Sequence, residues 1–199
     1  MLKLYDYPDS GNAYKIRLLL TQLEYPFERV LVDIRKGESR TPEFLAKNPN
    51  HRIPVLEWPD GRCLAESNAI LFHLAGRSAL LPEDSWLRAL VLQWLFFEQY
   101  SHEPYIAVVR FWHHAGSIEE NRAALPVKME GGYQALRLME QHLARNDFFV
   151  GERYSIADIA LYAYTHVAPE GGFNLHDFPA LRAWLDRVAA QPGHISIND

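Results

Sequence analysis

Three short stretches of this sequence carry side chains that could handle an anion and an amino-acid end. Ser10 and Asn12 follow the turn cluster Pro8-Asp9-Ser10-Gly11, just where a helical pattern begins. A hydroxyl in that position either caps the helix or donates a hydrogen bond to an anion held at the positive end of the helix. A thiolate is such an anion, and thiol pKa values fall at helix N-termini. Asn12 adds an amide donor. Tyr5 and Tyr7 are rivals for the same work, since both lie at the end of a first strand. They point to one face, and at least one of them is expected in the core. The second stretch is Ile53-Pro54, at the start of another strand. Proline in a sheet belongs at an edge or at a strand's first residue. A cis bond here would turn the Ile53 backbone outward, leaving its N–H and C=O to pair with an extended peptide ligand. The third is Glu66-Ser67, which opens a helix. Ser67 either caps that helix or joins its N-terminus in holding a carboxylate, while Glu66 could accept from an ammonium group. A ligand bearing both charges on one carbon fits that pair.

Other chemistries are poorly served. The single cysteine, Cys63, excludes an internal disulfide framework and any CxxC motif, and it reads as an inert strand residue. His113-His114 is a vicinal pair pointing to different sides of a helix, and His166 and His176 have no ligand spacing, so no metal is expected. Gly131-Gly132 and Gly171-Gly172 follow no strand, which excludes a phosphate-binding loop, and there is no G-x-S-x-G elbow. The formal net charge is -5 over 199 residues, so no nucleic-acid partner and no anionic membrane surface is expected. No apolar run is long enough to span a bilayer, and the first residues lack the apolar core of a signal peptide. A cytoplasmic protein is the expectation. Hydrophobic residues make up 48% and charged residues 23%, the balance of a globular chain.

The elements that must position these residues come in two kinds. Residues 2–5 and 27–32 read as strands, and 13–23 as an amphipathic helix with Ile16, Leu19, Leu20 and Leu23 at helical spacing. Residues 41–46 form a short helix with Thr41 as N-cap and Pro42 at its first position. Residues 53–58 and 62–65 are two strands joined by the turn Pro59-Asp60-Gly61, and 66–75 is helical again. The order is a βαβ unit followed by a ββα unit, a small mixed sheet with helices packed on it. Strand signals then fade. Residues 89–100 are apolar nearly all round, which predicts a buried or interfacial helix, and 125–143 and 181–189 are further helices. Ser155-Ile156-Ala157-Asp158 is a capping box opening a buried helix, with Tyr154 and Ile159 at the staple positions, and its role is structural. The fold class is therefore α+β: a mixed sheet domain over 1–76, a linker over 77–84, and an all-helical domain over 85–199.

Together these stretches resemble the soluble glutathione transferases along essentially the whole chain. The match rests on Y-P-D-S-G-N (7–12), N-P-N-H-R-I-P-V-L (48–56), L-A-E-S-N-A-I (64–70) and Y-S-I-A-D-I-A (154–160). The resemblance implies a thioredoxin-like first domain with Pro54 cis, and glutathione as co-substrate with no permanently bound cofactor. It implies that Ser10 takes the place of the catalytic hydroxyl of serine-type members, close to the theta, delta and related bacterial classes. Asn12 stands where some bacterial members make the same sulfur contact. Ile53 would pair its backbone with the cysteinyl part of glutathione, Glu66 and Ser67 would hold the γ-glutamyl end, and His51 and Lys36 would face the glycine end. Asn68 stands where delta-like members often carry a basic residue. Tyr105, Phe111 and Trp112 are candidates for the pocket that takes a small apolar electrophile. Dimers are implied too, with residues 89–100 at the interface and Glu98 reaching the partner's site. The expected function is activation of the glutathione thiol for attack on electrophiles, with disulfide-bond reductase or peroxidase activity as extensions of that chemistry. The alternative is a binding or regulatory protein that keeps the fold without the chemistry.

Overall fold

The first and second strand segments pair in parallel. The structure, a computed structural model, describes residues 1–199. β1 (Leu2–Asp6) lies beside β2 (Phe27–Leu31), with Leu2 opposite Phe27 and Asp6 opposite Leu31. Parallel neighbours need a crossover, and α1 (Gly11–Gln22) supplies it. β3 (Val55–Glu57) and β4 (Cys63–Ala65) form the expected hairpin, and β3 pairs antiparallel with β1. The sheet order is β2-β1-β3-β4. Gly61 has φ 86° in the hairpin turn, a conformation that glycine adopts without steric cost.

The two faces of this sheet bury different sets. Leu4 and Leu56, paired across β1 and β3, are fully buried, as are Ile16, Leu19 and Leu20 of α1 and Ile70 and Leu71 of α3 (Ser67–Ala75). α1 packs against α3. Each such side chain contributes roughly 1.5–3 kcal/mol through burial. On the other face, Val32, Val55 and Phe44 form a second cluster with Tyr5, Ile53, Cys63 and Ala65. Phe44 comes from α2 (Pro42–Leu45), which Thr41 caps by accepting from the Phe44 N–H at 3.3 Å.

The chain divides into two compact units, Met1–Ala79 together with Pro192–Asp199, and Leu80–Gln191. The last eight residues, read from the sequence as part of the helical half, thus pack with the sheet. The reason is a set of long-range polar contacts. The Tyr14 hydroxyl donates to the Ile195 carbonyl at 2.7 Å, and Arg17 donates to the carbonyl oxygens of Ile197 at 3.0 Å and Asp199 at 2.6 Å. Arg29 also reaches Asp199, at 2.7 Å. Both arginines converge on the buried carboxylate of Asp6, at 3.3 Å for Arg17 and 2.8 Å for Arg29.

The second unit is helical. It contains α4 (Ser85–Phe97), a π-helical turn over Glu98–His102, α5 (Glu103–His114), α6 (Leu125–Leu143), α7 (Ile156–Thr165) and α8 (Pro179–Ala189). α4 is not buried all round: Val91, Trp94 and Leu95 are buried, whereas Trp86 and Phe96 are exposed. Glu98 is fully buried. Gly131 and Gly132 sit inside α6, where a Cβ would strike the rings of Tyr105 and Phe173 respectively, so this pair serves close packing. No helix is long and apolar enough to cross a membrane.

α7 opens as expected on Ser155. Its hydroxyl oxygen accepts from the Ala157 N–H at 3.2 Å, and its own N–H donates to Asp158 Oδ2 at 2.9 Å. Asp158 does more than close the box. Its Oδ1 also accepts from the Phe149 N–H at 3.2 Å and from Trp184 Nε1 at 3.0 Å, tying α7 to α8 and to the segment before it.

Candidate active site

The register of the sheet gathers the candidate residues at one end. Tyr5 lies opposite Val55, and Val55 opposite Ala65. The segment leaving β1, the segment entering β3 and the segment leaving β4 therefore emerge side by side. These are the stretches that hold Ser10 and Asn12, His51 to Pro54, and Glu66 and Ser67. Because β2 runs parallel to β1, the loop that carries Lys36 leaves the sheet at the same end. Arg35 in that loop lies 3.4 Å from Asp9 and over the Tyr7 ring, docking it on the Tyr7–Ser10 turn.

Ser10 is the N-cap of α1: its hydroxyl oxygen accepts from the Ala13 N–H at 3.2 Å. Accepting at the oxygen leaves the O–H proton to donate elsewhere. The capping role and the anion-binding role are thus compatible, and the two readings of this serine do not compete. Asn12 lies on the first turn of α1, and its Oδ1 accepts from Ser67 Oγ at 3.0 Å. The two helix N-termini, α1 and α3, are thereby joined by one side-chain hydrogen bond.

Tyr5 is removed from contention. Its hydroxyl donates to Glu57 Oε2 at 2.7 Å, its ring meets Phe44 edge-on, and Lys47 sits over it while pairing with Glu57 at 2.6 Å. Burial and the Glu57 carboxylate both push its phenol pKa up. A phenol so engaged on the α2 face of the sheet is no donor to an anion at α1.

The Ile53-Pro54 peptide is cis. The Ile53 side chain packs into the cluster around Phe44, while strand pairing begins only at Val55, so the Ile53 backbone lies outside the ladder. Asn48, nearly fully buried, organises the approach to it: Nδ2 donates to the Arg52 carbonyl at 2.7 Å and Oδ1 accepts from the Asn50 N–H at 3.0 Å. His51, at φ 46°, donates its N–H to the Asn48 carbonyl at 2.9 Å.

At α3 the helix cap differs from the sequence reading. The N-cap is Glu66, with φ 68° and ψ 109°, and its side chain makes no capping bond. Ser67 is the first helical residue and is buried. A non-glycine residue at positive φ is uncommon and is held by its surroundings. Here it turns the chain so that the first turn of α3 begins at the site end without a Glu66 side-chain cap, which suits a carboxylate. Lys36 is exposed and pairs with Asp33 at 3.1 Å, and that carboxylate raises its pKa. Of the aromatic candidates on α5, Tyr105 and Trp112 stand seven residues apart and share a face, whereas Phe111 is turned away and exposed. Tyr105 packs on α6 at Gly131 and under Lys128.

Sequence reasoning missed Lys15. Read as one position on an amphipathic helix, it is in fact fully buried, with Nζ 2.8 Å from Asn12 Oδ1 and 3.3 Å from Ser67 Oγ. The signal was its i, i+3 spacing from Asn12, which places both on one helix face.

A model of the glutathione S-transferase N-terminal domain matches residues 1–76, and one of the C-terminal domain matches residues 89–192. The chain belongs to the glutathione S-transferase family. It is similar to the crystal structure of a glutathione S-transferase from Pseudomonas fluorescens Pf-5, with 55% identity and a TM-score of 0.97 over 100% of this chain and 99% of that one. A glutathione transferase from Burkholderia graminis, crystallised with two glutathione molecules bound per subunit, is 30% identical with a TM-score of 0.84, covering 96% of this chain and 85% of that one. Among curated proteins, the disulfide-bond oxidoreductase YfcG of Escherichia coli (strain K12) is 30% identical, covering 96% of this chain and 92% of its own. The thioredoxin-like first domain and helical second domain of the family correspond to the sheet and helices described above.

Proposed function

We propose that this glutathione S-transferase family member is a serine-type glutathione transferase that holds glutathione as the thiolate. The observation that carries the reading is the pairing of two helix N-termini at one end of the sheet. α1 offers the Ser10 O–H and the Asn12 amide, and α3 offers backbone N–H groups beside Glu66 and Ser67. In this reading Ile53 pairs its backbone with the cysteinyl unit, Glu66 accepts from the γ-glutamyl ammonium, and Ser67 with α3 holds the neighbouring carboxylate. His51 and Lys36 face the glycine carboxylate, where positive or donating groups are needed.

The magnitudes are sufficient. A free thiol has a pKa near 8.5, so only a few per cent is ionised at pH 7. Lowering it by ~2 units requires about 2.7 kcal/mol of preferential stabilisation of the anion. A hydrogen bond to a charged group supplies roughly 1.5–3 kcal/mol, and a helix N-terminus about 0.3–1 kcal/mol more. The thiolate then attacks an electrophile, displacing its leaving group. Alternatively it attacks one sulfur of a disulfide and releases the other as thiolate. The second reaction is favoured as a further activity by the similarity to the disulfide-bond oxidoreductase YfcG. Tyr105, Phe111 and Trp112 of α5 are the aromatic residues we propose for contact with the electrophile.

Titrating the ultraviolet band of the thiolate in a mixture of glutathione and purified protein tests the proposal. A band that persists below pH 7 is the expected result. Binding without the band would instead indicate a glutathione-binding protein without thiol activation, and no binding would favour a regulatory role. We also propose a homodimer, because Trp86, Phe96 and Tyr100 present large apolar surfaces at 69%, 68% and 82% exposure on and just after α4. The expected solution mass is twice 23.0 kDa, and a mass of one chain would refute it.

A further inference from the structure

A fully buried ammonium is an expensive choice for a helix position that an apolar side chain could fill. Lys15 occupies such a position, one turn along α1 from Asn12. Its Nζ donates to Asn12 Oδ1 at 2.8 Å and to Ser67 Oγ at 3.3 Å, and Ser67 Oγ donates to the same Asn12 oxygen at 3.0 Å. An ammonium has three donors and no acceptor. The carboxamide atom facing it must therefore be oxygen, which settles an orientation that side-chain shape alone leaves open. The NH2 end of Asn12 is consequently turned away from Lys15 and Ser67, as the donor end.

We infer that Lys15 is a positioning residue of the thiolate site. Its ammonium fixes the Asn12 carboxamide so that the NH2 donates to the glutathione sulfur, and it ties that amide to Ser67 at the start of α3. The inference rests on the function proposed above and deepens it. It explains how the sulfur-binding and carboxylate-binding parts of the site keep one relative geometry: a single buried cation bridges them. Without the cation, Asn12 could rotate its amide end for end, and an oxygen facing the thiolate would repel it.

The test compares the thiolate band of bound glutathione across pH in the wild type, Lys15→Met, Asn12→Ala and the double variant. Lys15→Met should raise the apparent thiol pKa by about one unit, cutting the thiolate at pH 7 about threefold. Asn12→Ala should show a similar rise, and the double variant no further rise. Lys15→Gln, whose amide can still donate, should recover most of the band. An unchanged thiol pKa in a folded Lys15→Met protein would overturn the inference, as would additive shifts in the double variant. A wild type that itself shows no band below pH 7 would count against the proposed function instead. Should Lys15→Met fail to fold, nitrogen-15 spectra of the wild type give an independent answer. The Asn12 side-chain NH2 signals should move on adding glutathione, and stationary signals would overturn the assignment.

Discussion

Ser10→Ala should raise the pKa of the bound glutathione thiol by about 1–2 units, cutting the thiolate present at pH 7 by about threefold to about 25-fold, while glutathione affinity stays within a few-fold. The expectation follows from the two roles of one hydroxyl. Its oxygen accepts from the Ala13 N–H at 3.2 Å, which leaves its proton able to donate to a ligand. Loss of the cap should cost about 1 kcal/mol of stability, read as a small fall in melting temperature, and loss of the donor is read in the ultraviolet titration. Ser10→Thr keeps both functions and should resemble the wild type in both. Tyr5→Phe is the control, because the Tyr5 hydroxyl is committed to Glu57 at 2.7 Å, and it should leave the thiolate band unchanged. If Asn12→Ala abolishes the band while Ser10→Ala spares it, the main donor is the amide and not the hydroxyl.

Asp158→Ala should be the most destabilising single substitution away from the site, with little effect on glutathione affinity. Removal of the carboxylate strands the Ser155 N–H, the Phe149 N–H and the Trp184 indole N–H in the interior at once. Each buried donor left without an acceptor costs about 1–3 kcal/mol, and in a chain of this size each kcal/mol lowers the melting temperature by about 2–4 °C. A fall on the order of 10 °C is expected. A second signature is its pH dependence. Complete burial pushes the Asp158 carboxyl up to about 6, against the donors that favour its ionised form. An acid whose pKa is raised by folding binds its proton more tightly in the folded state. Its contribution is therefore full below the unfolded value near 3.9 and is lost as pH rises through about 6. The stability gap between wild type and Asp158→Ala should narrow between about pH 4 and 6 and stay level above that. Matching melting temperatures for the two proteins would remove the structural role assigned to Asp158.

Much of this was written locally in the chain. The helical spacing of Ile16, Leu19 and Leu20 fixed α1 to within a residue or two, because a buried stripe at period 3.6 has no other regular solution. The turn Pro59-Asp60-Gly61 between two short apolar runs marked the hairpin of β3 and β4. The Ser155/Asp158 box marked the start of α7 with its reciprocal bonds. The sequence pattern also named the residues of the candidate site, since turn residues before a helix and a proline at a strand start are local chemical signatures. What it could not rank were the alternatives whose outcome depends on a distant partner. Tyr5 and Ser10 are equally plausible donors until Glu57 and Lys47 are seen to engage the phenol. Ser67 has the look of a cap until Glu66 is found holding that place at positive φ.

The sequence by itself determined the order of strands and helices, the two kinds of unit and the identity of the polar residues at the helix starts. Tertiary structure alone decided which of those residues meet. It set Lys15 between Asn12 and Ser67 across 52 residues of chain, buried the Glu98 side chain, and drew Pro192–Asp199 back onto α1 and β2 through Tyr14, Arg17 and Arg29. The physical reason is one of range. Periodicity and capping act over one or two turns and are legible in a short window of sequence. The partner of a buried charge is set by where the packed sheet and helices bring distant segments together, and no local window contains that information.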